Sequence, residues 1–120
     1  MRSKSARSDL SLPLKPAVFL LLVSLAAGEK HGYALRKDVA TRSGGDVRLG
    51  PATLYRTLAQ MLEEGSIDES GRRPAPELDD ERRRYYRLTD RGRRVLDAEV
   101  TRLEQLAASA RAVILQRGKA

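Results

Sequence analysis

The sequence predicts a mostly α-helical fold with a small β-element and a long C-terminal helix, and three observations carry that prediction. Apolar residues recur at helical spacing in separate stretches punctuated by Pro and Gly. One Pro/Gly/charge-rich stretch has short strand-like runs at its two ends. The last segment keeps an apolar 4-3-4-3-4 repeat. With 120 residues and 41% hydrophobic content, the chain is long enough for one small domain with a real core, plus an extension.

Residues 1–11 are polar, basic and unpatterned and read as a flexible arm. A first helix starts at Pro13 or Pro16, proline being tolerated in a first turn, runs to Ala27 and stops at Gly28. It is apolar nearly all round, so it should be buried in the core or against a second chain. The basic start followed by the apolar run 17–27 also has the look of a signal peptide. That run is shorter than the roughly 20 residues a bilayer requires, and its removal would delete much of the core. The expectation is a retained, cytoplasmic chain. A second helix covers about 32–42, with Tyr33, Leu35, Val39 and Ala40 as its apolar side and "SGG" as its terminator. "DVRLG" (46–50) is a short extended piece or loop.

The third helix starts at Pro51 and ends at Gly65. Leu54, Leu58, Met61 and Leu62 form its core stripe, while Thr53, Arg56, Thr57 and Gln60 share the opposite side. Residues 67–69 and 83–88 read as two strands around a polar loop. Alternation in the second places Tyr86 and Leu88 inward and Tyr85 and Arg87 outward. Thr89 then caps a helix over about 90–117. Its seam, Leu96, Val100, Leu103, Ala107, Ala110 and Ile114, outruns the body of so small a domain and reads as a dimerisation surface. The alternative is packing back onto the first helix.

This order of elements is that of a winged helix-turn-helix domain (12–89) followed by a dimerisation helix (90–117). In such a domain the third helix enters the major groove and the ribbon, or wing, lies along the backbone or minor groove. The charge fits: 23 Lys and Arg against 16 Asp and Glu give +7, with an isoelectric point near 10.2, which favours an anionic partner. Residues 82–94 hold seven arginines and one acid, Asp90. The acids gather elsewhere, in "ELDDE" and around 63–69, and "ELDDE" can screen the wing arginines in the absence of DNA. The candidate DNA-binding residues are Thr53, Tyr55, Arg56, Thr57, Gln60, Arg72, Arg73, Arg83, Arg84, Tyr85 and Arg87. Arg56 suits guanine and Gln60 adenine, and Thr53 and Tyr55 near the helix start suit phosphate. One His, no Cys and no phosphate-cradling Gly-rich loop point away from an enzyme, a cofactor or a metal. His31, before Gly32, reads as a capping or packing residue. Few aromatics (one Phe, four Tyr, no Trp) argue against a single-strand stacking platform.

"HGYAL", "GPATLYRTLAQMLEEGSI" and "RRRYYRLTDRGRRVL" together resemble the signature blocks of PadR-family transcriptional regulators, in their order and spacing, over about residues 12–106. The resemblance implies a dimeric winged-helix DNA-binding protein, usually a repressor. It makes Thr53, Leu54 and Tyr55 the recognition-helix core, Arg83 to Arg87 the wing, and His31, Gly32 and Tyr33 the start of the second helix. Arg56 stands where many members have proline, and Ser66 replaces a common leucine, which implies a modest loss of packing. The absence of Trp departs from members that sandwich planar drugs between tryptophans. The expected partners are double-stranded DNA, a second copy of the chain, and a small apolar effector near Ala107, Ala108 and Ala110. No membrane partner is expected. The competing function is a nucleoid or architectural protein that binds DNA without regard to sequence.

Overall fold

The computed structural model describes residues 12–71 and 84–119. Among them the order is α1 (Pro16–Ala27), β1 (Lys30–His31), α2 (Gly32–Arg42), α3 (Pro51–Glu64), β2 (Ile67–Glu69), β3 (Tyr85–Leu88) and α4 (Asp90–Lys119). The helices stand where the sequence places them, α1 taking the Pro16 start. The sheet has one strand more than expected. Lys30 and His31 pair antiparallel with Tyr86 and Tyr85, while Ile67, Asp68 and Glu69 pair with Leu88, Arg87 and Tyr86 on the other side. β3 is therefore the central strand of a three-stranded antiparallel sheet.

α1 is the spine of the core. Leu21 and Leu22 are fully buried, with Val18, Ser24 and Leu25 beside them, and Phe19 and Leu20 pack half-exposed at the margin. Its C-terminus is held by Lys30, whose Nζ donates to Ser24 O (2.5 Å) and Gly28 O (3.3 Å), a cation placed at the negative end of the helix. α2 buries Gly32, Leu35 and Val39. Tyr33, expected on that apolar side, is instead 56% exposed. It lies two residues, or about 200° of helix, from Leu35 and so points the opposite way.

α3 seats Leu54, Leu58 and Met61 in the core and closes on Gly65, which adopts a left-handed φ of 84° and donates its N–H to Met61 O and Leu62 O (both 3.1 Å). Directly after it, Ser66 is fully buried and is the pivot for α4. Its N–H donates to Met61 O (3.1 Å) and its carbonyl accepts from Thr89 N (3.2 Å). Thr89 Oγ1 donates to Gly65 O (2.6 Å) and accepts from Gly92 N (3.0 Å), the expected N-cap. Gly92 is buried against Ser66, so close that a side chain there would collide with the Ser66 carbonyl.

The first three turns of α4 pack on the body through Val95 and Leu96, and at Glu99, which is 2% exposed. The Glu99 carboxylate accepts the Leu14 N–H (2.9 Å) and two bonds from Arg102 (2.6 and 2.9 Å), tying the segment before α1 to the long helix. The Arg102 hydrogen bonds hold the carboxyl below its ordinary range against the opposing effect of desolvation, with the Leu14 N–H assisting. Sequence reading did not find this buried acid. Beyond Arg102 every residue of α4 up to Gly118 is exposed. Packing back onto α1 thus accounts for the near half of the helix and not for the far half.

Candidate nucleic-acid interface

α3 presents the outward face that the spacing predicts. Thr53, Arg56 and Gln60 are exposed and Thr57 is half-buried. Among the described residues Arg56 makes only a long 3.5 Å approach to Thr53 Oγ1, which leaves its guanidinium available there. Thr57 donates its hydroxyl proton to Thr53 O (2.8 Å), which leaves the oxygen able to accept a hydrogen bond from outside. At the start of the helix, Gly50 supplies no side-chain cap and Pro51 occupies the first turn. Residues 50–53 are all exposed. The positive end of α3 therefore faces solvent beside the polar stripe, a setting suited to phosphate.

The two candidate tyrosines do not stand free. Tyr55 is half-buried, and its ring lies over Gly32 at the start of α2, leaving no room there for a Cβ. Tyr85, expected to point outward, is half-buried and packs edge-on against His31, with ring centroids 5.4 Å apart. His31 itself caps α2, its Nδ1 accepting the Ala34 N–H (3.2 Å). Tyr55, Tyr85 and His31 thus converge on one joint, which fixes α2 against both α3 and the sheet.

The wing is partly self-neutralised. Arg87 donates to Asp68 (2.9 Å) directly across the β2–β3 ladder, and Arg84 donates to Glu69 (3.0 Å). The hydrogen bond to Asp68, more than its charge, raises Arg87 above the usual arginine range. The acids are accordingly not set apart from the arginines as the sequence suggested, because strand pairing brings Asp68 and Glu69 alongside them. The Arg87–Asp68 side chains are about half exposed (52% and 50%), and solvent screening leaves such pairs weak. A phosphate can displace the acid at small cost. Arg72, Arg73 and Arg83, the "ELDDE" segment and the basic arm lie outside the described residues.

Sequence reading missed a second basic surface. Tyr33, Arg36, Lys37, Ala40, Arg48 and Leu49 line a cleft of about 240 Å³ between α2 and the loop leading to α3. Arg36 and Arg48 are separated in sequence, and no motif or charge run joins them. Among the described residues no cluster of three or more His, Cys, Asp or Glu is placed to hold a metal ion, and no helix is long and apolar enough to cross a membrane.

Comparison with known proteins agrees with this geometry. The chain is 35% identical over 91 residues to an uncharacterised 37.1 kDa protein in transposon Tn4556 of Streptomyces fradiae, spanning 76% of this chain and about a quarter (24%) of that protein's length. The fold is similar to a PadR family transcription regulator from Clostridium difficile (TM-score 0.67, 20% identity, 83% of this chain and 99% of that one). It is also similar to a putative transcriptional regulator from Thermoplasma acidophilum (TM-score 0.63, 25% identity, 83% and 90% covered). Residues 21–98, from the middle of α1 to the third turn of α4, match the model of the PadR-like transcriptional regulator family. A helix-turn-helix with an open α3 face, a wing of arginines and that family match have one common reading: the chain belongs to the PadR-like family of transcriptional regulators.

Proposed function

We propose that the chain acts as a homodimeric repressor that recognises an inverted repeat in double-stranded DNA, one α3 helix to each half-site. The observation that carries this reading is the far half of α4. Leu103, Leu106, Val113, Ile114 and Leu115 are 39–58% exposed on a helix that has left the body behind. A row of large apolar side chains of that kind marks an interface. Of the seam, Leu96 packs on its own body and Val100 is half-buried, while Leu103, Ala107, Ala110 and Ile114 are exposed and offer a second copy a self-complementary surface. A twofold pair of α3 helices then matches the symmetry of a palindromic site.

In each half-site Arg56 donates to guanine O6 and N7, and Gln60 pairs with adenine. Thr57 accepts from a base amino group. Thr53 and the free start of α3 take a phosphate, and Arg84 and Arg87 of the wing take others once they leave Glu69 and Asp68. Arg72, Arg73 and Arg83 are further candidates for phosphate contact by their charge. Tyr55 and Tyr85 serve chiefly by fixing the joint at the start of α2. Repression follows from occupancy of the DNA. A small apolar ligand seated between two copies at Ala107, Ala108 and Ala110 would relieve it by changing the spacing of the two α3 helices.

The test is selection of genomic DNA fragments by the purified protein, followed by affinity and mass measurement on the enriched sequences. The expected result is an inverted repeat bound by one dimer, with affinity falling steeply as salt rises. Equal binding to all sequences would establish an architectural protein instead. Binding as a monomer would refute the role given to α4.

A further inference from the structure

We infer that the cleft between α2 and the α2–α3 loop is a second seat for the DNA backbone, gripping phosphates independently of the wing. Its cations are Arg36, Lys37 and Arg48, and no acid lines it. This rests on the DNA-binding reading above and adds residues that neither the recognition face nor the wing contains.

Three observations support it. First, the cations are held in place. Arg36 donates Nε–H to Leu49 O (2.7 Å), and Arg48 donates Nε–H to Gly45 O (3.2 Å). Each bond engages one nitrogen and leaves the Nη groups as donors, so little further ordering is required when an anion arrives. Lys37 is steadied over the exposed Tyr33 ring, its Nζ 6.0 Å from the centroid. Second, the charges are not compensated. Arg84 and Arg87 of the wing are paired with acids, whereas among the described residues Arg36, Lys37 and Arg48 form no ion pair. Asp38, the acid of α2, is engaged instead by Arg42 (2.7 Å). Before any DNA arrives, the uncompensated positive charge is thus stronger on the α2 side than at Arg84 and Arg87. Third, the cleft adjoins the recognition helix. Leu49 lines it, and the next residue, Gly50, is the exposed start of α3. A backbone lying in the cleft runs on past the free end of the helix that reads the bases.

Phosphate contacts set affinity and salt dependence without reading sequence, and the experiment separates that role from base recognition. The enriched duplex and a scrambled duplex are titrated with wild type, Lys37→Gln, the double variant Lys37→Gln/Arg48→Gln, and Arg56→Ala, at several salt concentrations. Arg36 is left intact because it anchors the loop. Each phosphate contact contributes roughly 0.9 to the slope of log affinity against log salt. The double variant should therefore lose about two contacts' worth of slope, and its deficit against wild type should shrink roughly 12-fold between 50 and 200 mM salt. Lys37→Gln should lose about half of that slope, and both duplexes should weaken alike. A double variant with the wild-type slope, while Arg56→Ala still loses discrimination, would overturn the cleft alone. A loss confined to the enriched duplex would also overturn it. If wild type binds neither duplex, the DNA-binding reading itself fails and the cleft with it.

Discussion

Replacing Gly92 by alanine sets two effects of opposite sign against each other. Gly92 is in the first turn of α4, and on helix propensity alone alanine there should stabilise by up to about 1 kcal/mol. The structure predicts the reverse. A Cβ on Gly92 would be 2.8 Å from a Leu88 methyl, 3.0 Å from the Ser66 carbonyl carbon and nearer still to its oxygen. Carbon atoms in comfortable contact are about 3.5–4.0 Å apart. The methyl can turn away, but the Ser66 backbone is fixed from both sides, by Met61 O and by the Thr89 N–H. Relief therefore requires the start of α4 to lift away from the end of α3. Overpacking of this kind costs about 1–3 kcal/mol, and the strained Thr89 cap about 1 kcal/mol more. Subtracting the propensity gain leaves a net loss of about 1–3 kcal/mol. For a domain of this size each kcal/mol shifts Tm by roughly 4–8 °C, so Tm should fall by roughly 4–24 °C. Far-UV circular dichroism melts at one fixed protein concentration give the answer. The control is Gly118→Ala in the same helix, where among the described residues nothing lies within 4 Å of the added Cβ and no loss is expected. A Gly92→Ala protein that melts at or above the wild-type temperature would refute the close packing of α4 on Ser66.

Other perturbations address the interface and the core directly. Arg56→Ala, at an exposed position, should leave Tm and the oligomeric state unchanged while costing about 1–3 kcal/mol of discrimination between the preferred site and a single-base variant, read from paired titrations. Asp68→Asn releases Arg87 from its cross-strand partner and should tighten binding to scrambled DNA a few-fold at roughly 50 mM salt, the gain fading as salt screens it; unchanged affinity at low salt would show that Asp68 does not compete with phosphate. The Arg102 hydrogen bonds lower the Glu99 carboxyl from its ordinary 4.5, so its contribution to stability is complete above that value and is lost as pH falls through the lowered one. Melts between pH 6 and 2.5 should therefore show an acid limb below about pH 4.5 that is smaller in Glu99→Gln, and an equally steep limb in that variant would place the titration elsewhere.

Most of the helical framework was legible because it is local. Pro51 and Gly65 bracket α3, Thr89 caps α4, and the Leu54/Leu58/Met61 stripe states which side of α3 faces inward. What the sequence hid depends on partners far along the chain. Lys30 and His31 have neither the length nor the alternation of a strand, and they become one only by pairing with Tyr86 and Tyr85. Asp68 and Glu69 looked separate from the arginines because their proximity is a matter of register across a hairpin. Tyr33 looked apolar and inward, yet α2 had already committed its inner side to Gly32, Leu35 and Val39. The basic cleft escaped notice for a related reason, since Arg36 and Arg48 meet only after the chain has turned between α2 and α3.

The tight seating of Gly92 on Ser66 makes the end of α3 and the start of α4 a single knuckle. α4 has 30 residues, which at helical rise is an arm of about 45 Å. One degree of rotation at the knuckle moves the tip of that arm by about 0.8 Å. The same gearing runs backwards: a displacement of several ångströms at the tip turns α3 by only a few degrees. Such a lever holds the pitch of α3 steady against loose handling at its far end.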